Sequence, residues 1–325
     1  NDKRLLVGAP GAANGGRVYR FDGSAVNASF TSSAETAVAG SDTTGADRFG
    51  AAIDLDGSDF IVGAPNRTVG TNTQQGQAYF FSIAAATNNI SQQGNPIVLS
   101  GGAAGDHFGS AVAVSTTVGS LVAIGAPDWG GGGTTRRGGV FGFVKVVNTW
   151  NLISSDLNPP PVAGQRVGAS LANSGASMLV GVPAAAYQGR PNVGKVLAYQ
   201  GTNPDGTIDP GRSDAQDSFG RSIAASGDLV VIGAPYDDSA GVGDGGAAYV
   251  FLRNAAMGTW SLEQKIVPPS GMGSLWFGYA VAIDGDRLAV GAPNYNGAFT
   301  SQGVAFVYSR VVATVPLECH RTRSS

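Results

Sequence analysis

The sequence predicts an all-β fold built from six copies of a four-stranded antiparallel sheet, and two observations lead to this prediction. First, a Gly-Ala-Pro triplet or a close variant ends an apolar, β-branched run six times, at intervals of 52 to 62 residues. Second, a Phe-Gly or Val-Gly pair precedes five of these triplets, and a glycine with a short aromatic run follows all six. Self-similarity at such a spacing is the signature of a repeat architecture. The triplets begin at Gly8, Gly63, Gly125, Gly181, Gly233 and Gly291.

The fifth repeat shows most clearly how one copy divides into strands. After Phe219, a strand of small apolar residues is predicted over 220–225, and a Ser-Gly-Asp turn leads to a second strand over 229–233. Pro235 cannot continue a central ladder, so it ends this strand and begins a polar loop over 236–245. Two further strands are predicted over 247–252 and 260–266. The four strands of each repeat are labelled A to D in this order.

Strand A carries small side chains in every repeat that has one, as expected where several sheets converge on an axis. Radial repetition of four-stranded sheets is the β-propeller architecture. The prediction is therefore a single propeller domain over 1–310 with six blades, and a C-terminal strand or tail over 311–325 whose strand covers 311–317. The chain begins inside an A–B turn, so blade 1 lacks strand A. A seventh blade, or a strand supplied from outside this segment, stays open.

Composition excludes several classes of function. The 325 residues carry a net charge of −3, with 13% charged residues and no long basic run, whereas nucleic-acid binding needs clustered Lys and Arg. No apolar stretch reaches the length of a membrane-spanning helix, so no membrane insertion is expected. The only cysteine, Cys319, cannot pair within the chain. We expect it to form an intermolecular disulfide, as part of a larger extracellular polypeptide or assembly.

The three marks together, Phe-Gly, Val-Gly-Ala-Pro and Gly-x-x-Tyr-x-Phe, resemble the FG-GAP repeat of the integrin α-subunit propeller. The likeness covers residues 4–310 and is greatest to the short-turn variety found in extracellular proteins. It implies a propeller fold and an extracellular or cell-surface location. The motif is specific for the fold and says little about function.

The resemblance also implies a test for calcium, because integrin-type repeats often carry a calcium loop between strands A and B. Ca²⁺ requires six to eight oxygen ligands, and most of the corresponding turns here are too short. Only blade 2 keeps a remnant, formed by Asp54, Asp56 and Asp59. These residues are either a plain Asp-Gly hairpin, which we favour, or a calcium site. No other cofactor is expected.

Candidate binding residues lie in the B–C loops, which are the long, variable loops of the repeats. Their aromatic and arginine side chains are of the types that anchor interfaces, and a protein or glycan is the expected partner. The acidic pair in the blade 5 loop, together with Asp244, is either a solvated loop or a site for a cation or basic partner. The candidates are Trp129, Arg136, Arg137, Tyr236, Asp237, Asp238 and Tyr295.

Two further groups of residues are noted. Asn27, Asn66 and Asn89 begin Asn-x-Ser/Thr sequons in predicted turns or loops and are candidate glycan acceptors. Asp47, Asp106 and Asp217 each lie two residues before a Phe-Gly pair, and we expect them to cap the turn into strand A.

The function predicted from the sequence is a non-catalytic binding or assembly module. A sugar-binding propeller is the first alternative, and a hydrolase with paired carboxylates is a weaker one. Asp237 and Asp238 are adjacent in the chain, so their side chains diverge in an extended loop, which is unsuitable for acid–base pairing.

Overall fold

The computed structural model describes the chain in two compact units, residues 1–163 and 164–325, and each is described by itself. The described residues are 3–23, 36–115, 121–131, 136–147, 149–155, 162–175, 177–211, 216–238, 243–269, 274–310 and 318–320. Within these ranges the secondary structure is entirely strand and turn, and no helix there is long and apolar enough to cross a membrane.

The first unit contains three antiparallel sheets, which are blades 1 to 3. Among the described residues blade 1 has three strands, which correspond to strands B, C and D. The strands of blade 1 are β1 (Lys3–Ala9), β2 (Arg17–Gly23) and β3 (Thr36–Val38); those of blade 2 are β4 (Ala52–Asp56), β5 (Asp59–Ala64), β6 (Gln77–Ile83) and β7 (Ile90–Gln92); those of blade 3 are β8 (Ala111–Ser115), β9 (Leu121–Ala126), β10 (Gly139–Val146) and β11 (Thr149–Ser155).

The second unit contains blades 4 to 6, each a meander of four strands in sequence order. They are β12 (Leu171–Ser174), β13 (Ser177–Val182), β14 (Lys195–Gln200) and β15 (Asn203–Ile208) in blade 4; β16 (Ser222–Ser226), β17 (Leu229–Ala234), β18 (Ala247–Asn254) and β19 (Thr259–Ile266) in blade 5; and β20 (Ala280–Asp284), β21 (Arg287–Ala292), β22 (Val304–Ser309) and β23 (Glu318–His320) in blade 6.

These sheets confirm the all-β propeller fold class, and the strands of blade 5 match their predicted bounds to within two residues. The C-terminal strand differs from the prediction. Strand β23 begins at Glu318 and pairs antiparallel with β22 as the outer strand of blade 6, while the predicted range 311–317 lies outside the described residues.

The phenylalanine of each Phe-Gly pair fills the seam between two successive blades. Phe108 is fully buried between Ile61 and Phe80 of blade 2 and Phe141 of its own blade. Phe49 occupies the same place between blades 1 and 2, Phe219 between blades 4 and 5, and Phe277 between blades 5 and 6. Each seam is therefore a separate apolar core, and burial of these large side chains is the main force that holds neighbouring blades together.

The three sequence marks meet at this seam through the backbone as well. The amide of each buried phenylalanine donates to a carbonyl two residues before the preceding blade's strand C, at 2.7–3.1 Å. The triplet glycine of the preceding blade lies directly against the carbonyl of the next Phe-Gly glycine, so that a Cβ at Gly63 would be 2.9 Å from the carbonyl carbon of Gly109. The glycine is therefore required by close backbone approach rather than by a turn.

The residue before each Phe-Gly or Val-Gly pair has a left-handed backbone, with φ between 53° and 62°, although none of these residues is glycine. The side chain at this position differs from blade to blade, although the backbone conformation is the same. The five residues are Arg48, His107, Arg166, Ser218 and Trp276.

The capping role predicted for the aspartates before the Phe-Gly pairs is confirmed in two blades. An Asp47 carboxylate oxygen accepts the amide of Thr44 at 2.7 Å, and an Asp106 oxygen accepts that of Ala103 at 2.6 Å. Both aspartates are buried, so these bonds satisfy amides that the tight turn into strand A leaves without a ladder partner. Asp217 is buried at the equivalent position.

Candidate functional site

The B–C loops share one position that covers the end of their blade. It is the fourth residue after the triplet glycine, and in blades 3 and 5 it contacts the aromatic side chain of strand C. Three of the candidate binding residues occupy it. The residues at this position in blades 2 to 6 are Arg67, Trp129, Ala185, Asp237 and Tyr295.

In blade 3, Trp129 is half-buried and packs at right angles to Phe141, with ring centroids 5.1 Å apart. The Arg137 guanidinium lies 4.7 Å above the Trp129 ring, in cation–π geometry. Arg136 is exposed. Trp129 thus closes the blade 3 core, and it presents to solvent a surface that Arg137 partly covers. In blade 6, Tyr295 is likewise half-buried against the core between blades 5 and 6.

The prediction of a solvated acidic loop in blade 5 is wrong for Asp237. Its side chain is 2% exposed, accepts the Tyr249 hydroxyl at 2.5 Å, and forms an ion pair with Lys265 at 2.8 Å. A buried carboxylate needs such partners because desolvation penalises an unpaired charge. Asp238 is exposed, and its oxygen accepts the Asp244 amide at 2.7 Å. This is a bond between a side chain and the backbone of the same loop. Adjacent sequence positions therefore lie in opposite environments.

Blade 2 builds the same polar closure with the charges exchanged. Arg67 stands where blade 5 has Asp237, and it pairs with Asp42 at 3.2 Å and Asp47 at 3.4 Å. The hydroxyl of Tyr79, equivalent to Tyr249, donates to Asp42 at 2.6 Å. Burial and this bond to a carboxylate raise the pKa of Tyr79 far above that of free tyrosine, so the phenol stays protonated. These clusters close the blades and hold the strand C tyrosines.

An aromatic ladder crosses the junction of blades 5 and 6. Arg221 lies 4.5 Å above the Tyr279 ring and donates to its hydroxyl at 3.0 Å. Tyr279 stacks on Trp276 at an interplanar angle of 18°, and Tyr236 meets Trp276 at 82° with centroids 5.6 Å apart. All four side chains are half-buried. We call these residues the aromatic ladder.

Of the four ladder residues, the sequence predicts only Tyr236 as a binding residue. A signal for two others was present, since the run Trp276-Phe277-Gly278-Tyr279 places aromatic residues on both sides of a Phe-Gly pair. The left-handed backbone at Trp276 turns its side chain away from the core that Phe277 enters, and so brings it to Tyr236 of the preceding blade. Arg221 carried no signal, because its contact to Tyr279 crosses from blade 5 to blade 6.

The candidate calcium residues of blade 2 do not converge on one point. An Asp54 oxygen accepts the Val114 amide of blade 3 at 2.7 Å, and an Asp59 oxygen accepts the Ser82 hydroxyl at 2.6 Å. Asp56 is the cross-strand partner of Asp59 in the hairpin. Within the described part of the chain, no three His, Cys, Asp or Glu side chains form a group suited to a metal ion.

Metal removal provides a direct test of the hairpin. We favour a plain hairpin without bound Ca²⁺, so we expect the thermal unfolding temperature to be the same with and without a calcium chelator. A calcium ion that bound only the native state would raise the unfolding temperature. Scanning calorimetry with added Ca²⁺ against added chelator measures this. A rise with Ca²⁺ that is lost in Asp56→Asn would instead establish a calcium site at this hairpin.

Asp54 itself leads to a pH prediction. Desolvation raises the pKa of Asp54 in the folded state above its value in the unfolded state. The free energy of unfolding therefore falls as the pH rises through the folded-state pKa, because the folded protein must then hold a charged carboxylate in a desolvated place. Asp54→Asn keeps an oxygen that can accept the Val114 amide. We expect it to raise the unfolding temperature at about pH 7, with the gain disappearing toward about pH 3, where the carboxyl is neutral in both states. An equal effect at both pH values would contradict this.

A groove of about 660 Å³ lies between the outer parts of blades 1 and 2. Arg20, which is 5% exposed, forms part of its wall, donates to the Asn88 carbonyl and pairs with Asp22 at 3.0 Å. At another point, the side chain of Gln92 bonds to both the amide and the hydroxyl of Ser41, at 3.0 and 3.1 Å. These contacts link the two blades across the groove. Its volume falls within the range of small-molecule sites.

The modification candidates are distributed as follows. Asn89 is exposed and lines this groove, whereas Asn66 is half-buried and its amide donates to the Asp47 carbonyl at 3.1 Å. Asn27 lies outside the described residues. Cys319 is in β23, opposite Tyr308 in the register, and its intermolecular disulfide remains a prediction.

Comparison with known proteins agrees with this architecture. The model of the FG-GAP repeat matches residues 33–81, 210–251 and 260–308, which cover strands of blades 1, 2, 5 and 6. No curated protein matches the chain significantly. A crystal structure of a protein from Lactobacillus plantarum, determined by the Northeast Structural Genomics Consortium, is similar over 99% of this chain and 82% of its own, with a TM-score of 0.59 and 12% identity. That likeness concerns the fold alone. The chain therefore contains FG-GAP repeats in these three segments, and its fold is of the β-propeller class.

Proposed function

We propose that the protein is a non-catalytic binding module that docks a protein or a glycan through its B–C loops. The observation that carries this proposal is the aromatic ladder of Arg221, Tyr279, Trp276 and Tyr236. Its four side chains retain solvent-accessible surface. Tyr236 lies in the blade 5 B–C loop, and the other three lie beside the Phe-Gly pairs that lead into strand A of blades 5 and 6.

The ladder has the physical properties of an interface anchor. Tryptophan, tyrosine and arginine contribute most to binding where they are central and well packed. Here each side chain is already held by its neighbour, so little conformational entropy is lost when a partner covers it. The half-buried state leaves apolar surface that a partner can remove from water, while the Tyr279 hydroxyl and Arg221 supply polar contacts.

Hydrolysis by paired carboxylates is the weaker alternative. Asp237, one of the two adjacent aspartates, is buried and neutralised by Lys265, while Asp238 is exposed and holds the Asp244 amide. Two carboxylates in such different environments do not face a common substrate. This supports a binding role for the loops over acid–base chemistry.

An extracellular or cell-surface location belongs to the same proposal. FG-GAP repeats typically occur in extracellular proteins, and propellers are commonly scaffolds for protein interaction. We propose on this basis that the chain is extracellular, that it acts in adhesion as integrin-like propellers do, and that it is glycosylated.

The test is a binding screen against arrays of cell-surface glycans and receptor ectodomains. For any partner found, Trp276→Ala is expected to weaken binding by at least tenfold, or about 1.4 kcal/mol. Leu262→Ala removes a comparable apolar side chain from the outer strand β19 and serves as the matched control. Equal binding by wild type, Trp276→Ala and Leu262→Ala would exclude the ladder as the docking site.

Glycan binding has a second possible location, and the groove between blades 1 and 2 favours it. Its lining combines amide and hydroxyl groups with the apolar side chains of Val38 and Ile90, a mixture suited to the hydroxyl and C–H faces of a sugar. The charge of Arg20 is already offset by Asp22, so a neutral saccharide fits better than an anionic one.

Calorimetric titration with a panel of neutral oligosaccharides tests this second location. Asn89→Ala, which shortens a groove side chain, is expected to abolish the binding heat. Asn203→Ala, an exposed asparagine of blade 4, is expected to leave it unchanged. Loss of binding in Trp276→Ala but not in Asn89→Ala would assign the saccharide to the aromatic ladder instead.

A further inference from the structure

The outer strands of the blades differ in how their free edges are protected. An edge strand exposes unpaired backbone groups that can template pairing with another chain, and proteins limit this by short strands, proline or charge. Strands β3, β7 and β23 have only three residues each. Strand β15 contains Pro204 and Gly206, and β19 contains Glu263 and Lys265. The seven residues of β11 include no proline, glycine or charge.

Blades 3 and 5 provide an internal comparison for this strand. Strand β11 begins Thr-Trp-Asn-Leu-Ile and β19 begins Thr-Trp-Ser-Leu-Glu, and the two lie in the same register against strand C. Each has a bulge after its leucine, so the extra residue is Ile153 in blade 3 and Glu263 in blade 5. Blade 4 has its bulge at Asp205. The bulge position thus carries a carboxylate in two blades and an apolar side chain in blade 3.

The exposed surface around β11 is correspondingly apolar. Ile153 is 54% exposed and Leu152 is 43% exposed, and the adjoining hairpin exposes Val146 and, at 86%, Val147. Val147 also has a left-handed backbone with φ of 58°, which is unfavourable for a β-branched residue. Several large apolar side chains therefore lie together on one outer edge of the first unit.

Strand β11 is also held firmly in place. The Trp150 ring packs on Phe80 of blade 2, with centroids 4.8 Å apart, and its indole nitrogen donates to the Gln93 carbonyl at 3.3 Å. The neighbouring Lys145 ammonium donates to the Gln93 side chain. The strand is therefore anchored to the adjacent blade, and pairing along its free edge would not require it to be ordered first.

We propose that the edge of β11 is a self-association surface, on which β11 of a second copy of this chain lies antiparallel. The pairing would join two four-stranded blades into one continuous sheet and bury Leu152 and Ile153 of both copies. A second copy is the occupant that the sequence favours. Because β11 is uncharged, it can lie antiparallel on its own copy in any register without placing like charges opposite each other.

Analytical ultracentrifugation over a concentration series tests the proposal, with reductant present so that Cys319 disulfides do not contribute. Wild type is expected to show a concentration-dependent dimer. Ile153→Glu restores the carboxylate that blade 5 carries at this position, and it is expected to weaken dimerisation at least tenfold. Leu262→Glu adds the same charge to β19, at a position equivalent to Leu152 and 48% exposed, and is expected to leave the dimer intact.

Hydrogen exchange then locates the interface. The amides of β11 are expected to exchange more slowly in the dimer than in the monomer, while those of β19 are unchanged. A monomer at all concentrations overturns the proposal, as does a dimer unaffected by Ile153→Glu or one whose protection lies elsewhere. Binding of an added extended peptide to a strictly monomeric protein would also count against it, because the occupant would then be a different chain.

Discussion

Phe108→Ala is expected to lower the free energy of unfolding by about 3–5 kcal/mol. The side chain is completely buried between blades 2 and 3, and its ring contacts Phe141 and Phe143 at centroid distances of 6.0 and 5.9 Å. Its removal leaves a cavity at a seam where main-chain hydrogen bonds already fix the two blades, so the surroundings have little freedom to collapse. Denaturant unfolding, followed by tryptophan fluorescence, measures the change.

Phe299→Ala provides the control for this measurement. Phe299 is an exposed phenylalanine in the blade 6 B–C loop, and its replacement is expected to change stability by no more than about 0.5 kcal/mol. If Phe108→Ala is as mild as the control, the Phe-Gly phenylalanines do not stabilise the seams as described here.

Gly63→Ala is expected to destabilise the first unit strongly, although it adds a single methyl group. The new Cβ would overlap the Gly109 carbonyl oxygen and lie 2.9 Å from its carbon. The obstacle is backbone, so no rotamer change can relieve it. The blades must separate, which places the cost at or above the upper end of about 1–3 kcal/mol typical of overpacking. Gly233→Ala meets the same obstacle at Gly278 and is expected to act equally.

The matched control is Gly291→Ala, at the equivalent triplet position of blade 6. There the nearest atoms to a Cβ belong to Ala280, at 3.5 Å, which is an ordinary contact. We expect little or no loss of stability in this variant. Thermal unfolding of all three variants decides the matter, and equal loss in Gly291→Ala would show that the triplet glycine is needed for its conformation rather than for the close approach of blades.

Most of the fold can be predicted from the sequence because its determinants repeat. A triplet glycine, a buried phenylalanine and a strand C aromatic residue each appear in nearly the same register, so one blade explains the others, and the predicted strands of blade 5 agree closely with the structure. The assignment of β1 to strand B could also be made from the sequence, because the first residues align with the A–B turn and strand B of blade 6.

The environment of the loop residues could not be predicted, because it depends on contacts between residues distant in sequence. Asp237 and Asp238 are neighbours of the same type, yet Lys265 and Tyr249 bury the first and leave the second in solvent. The sequence predicts Trp129 as a binding residue of the loop surface, but Phe141 and Arg137 enclose much of it. Composition and turn signals contain no information on which loop side chain meets which strand.

The sequence by itself determined the all-β class, the six repeats and the order of strands A to D within them, since these follow from periodic apolar positions and from glycines that recur at fixed places. Only the tertiary structure decided which polar and aromatic side chains remain available for binding. The ladder of Tyr236, Trp276 and Tyr279 forms because a left-handed residue in one blade turns its side chain toward the preceding blade. Such a contact joins different repeats, so the pattern within any one repeat does not show it.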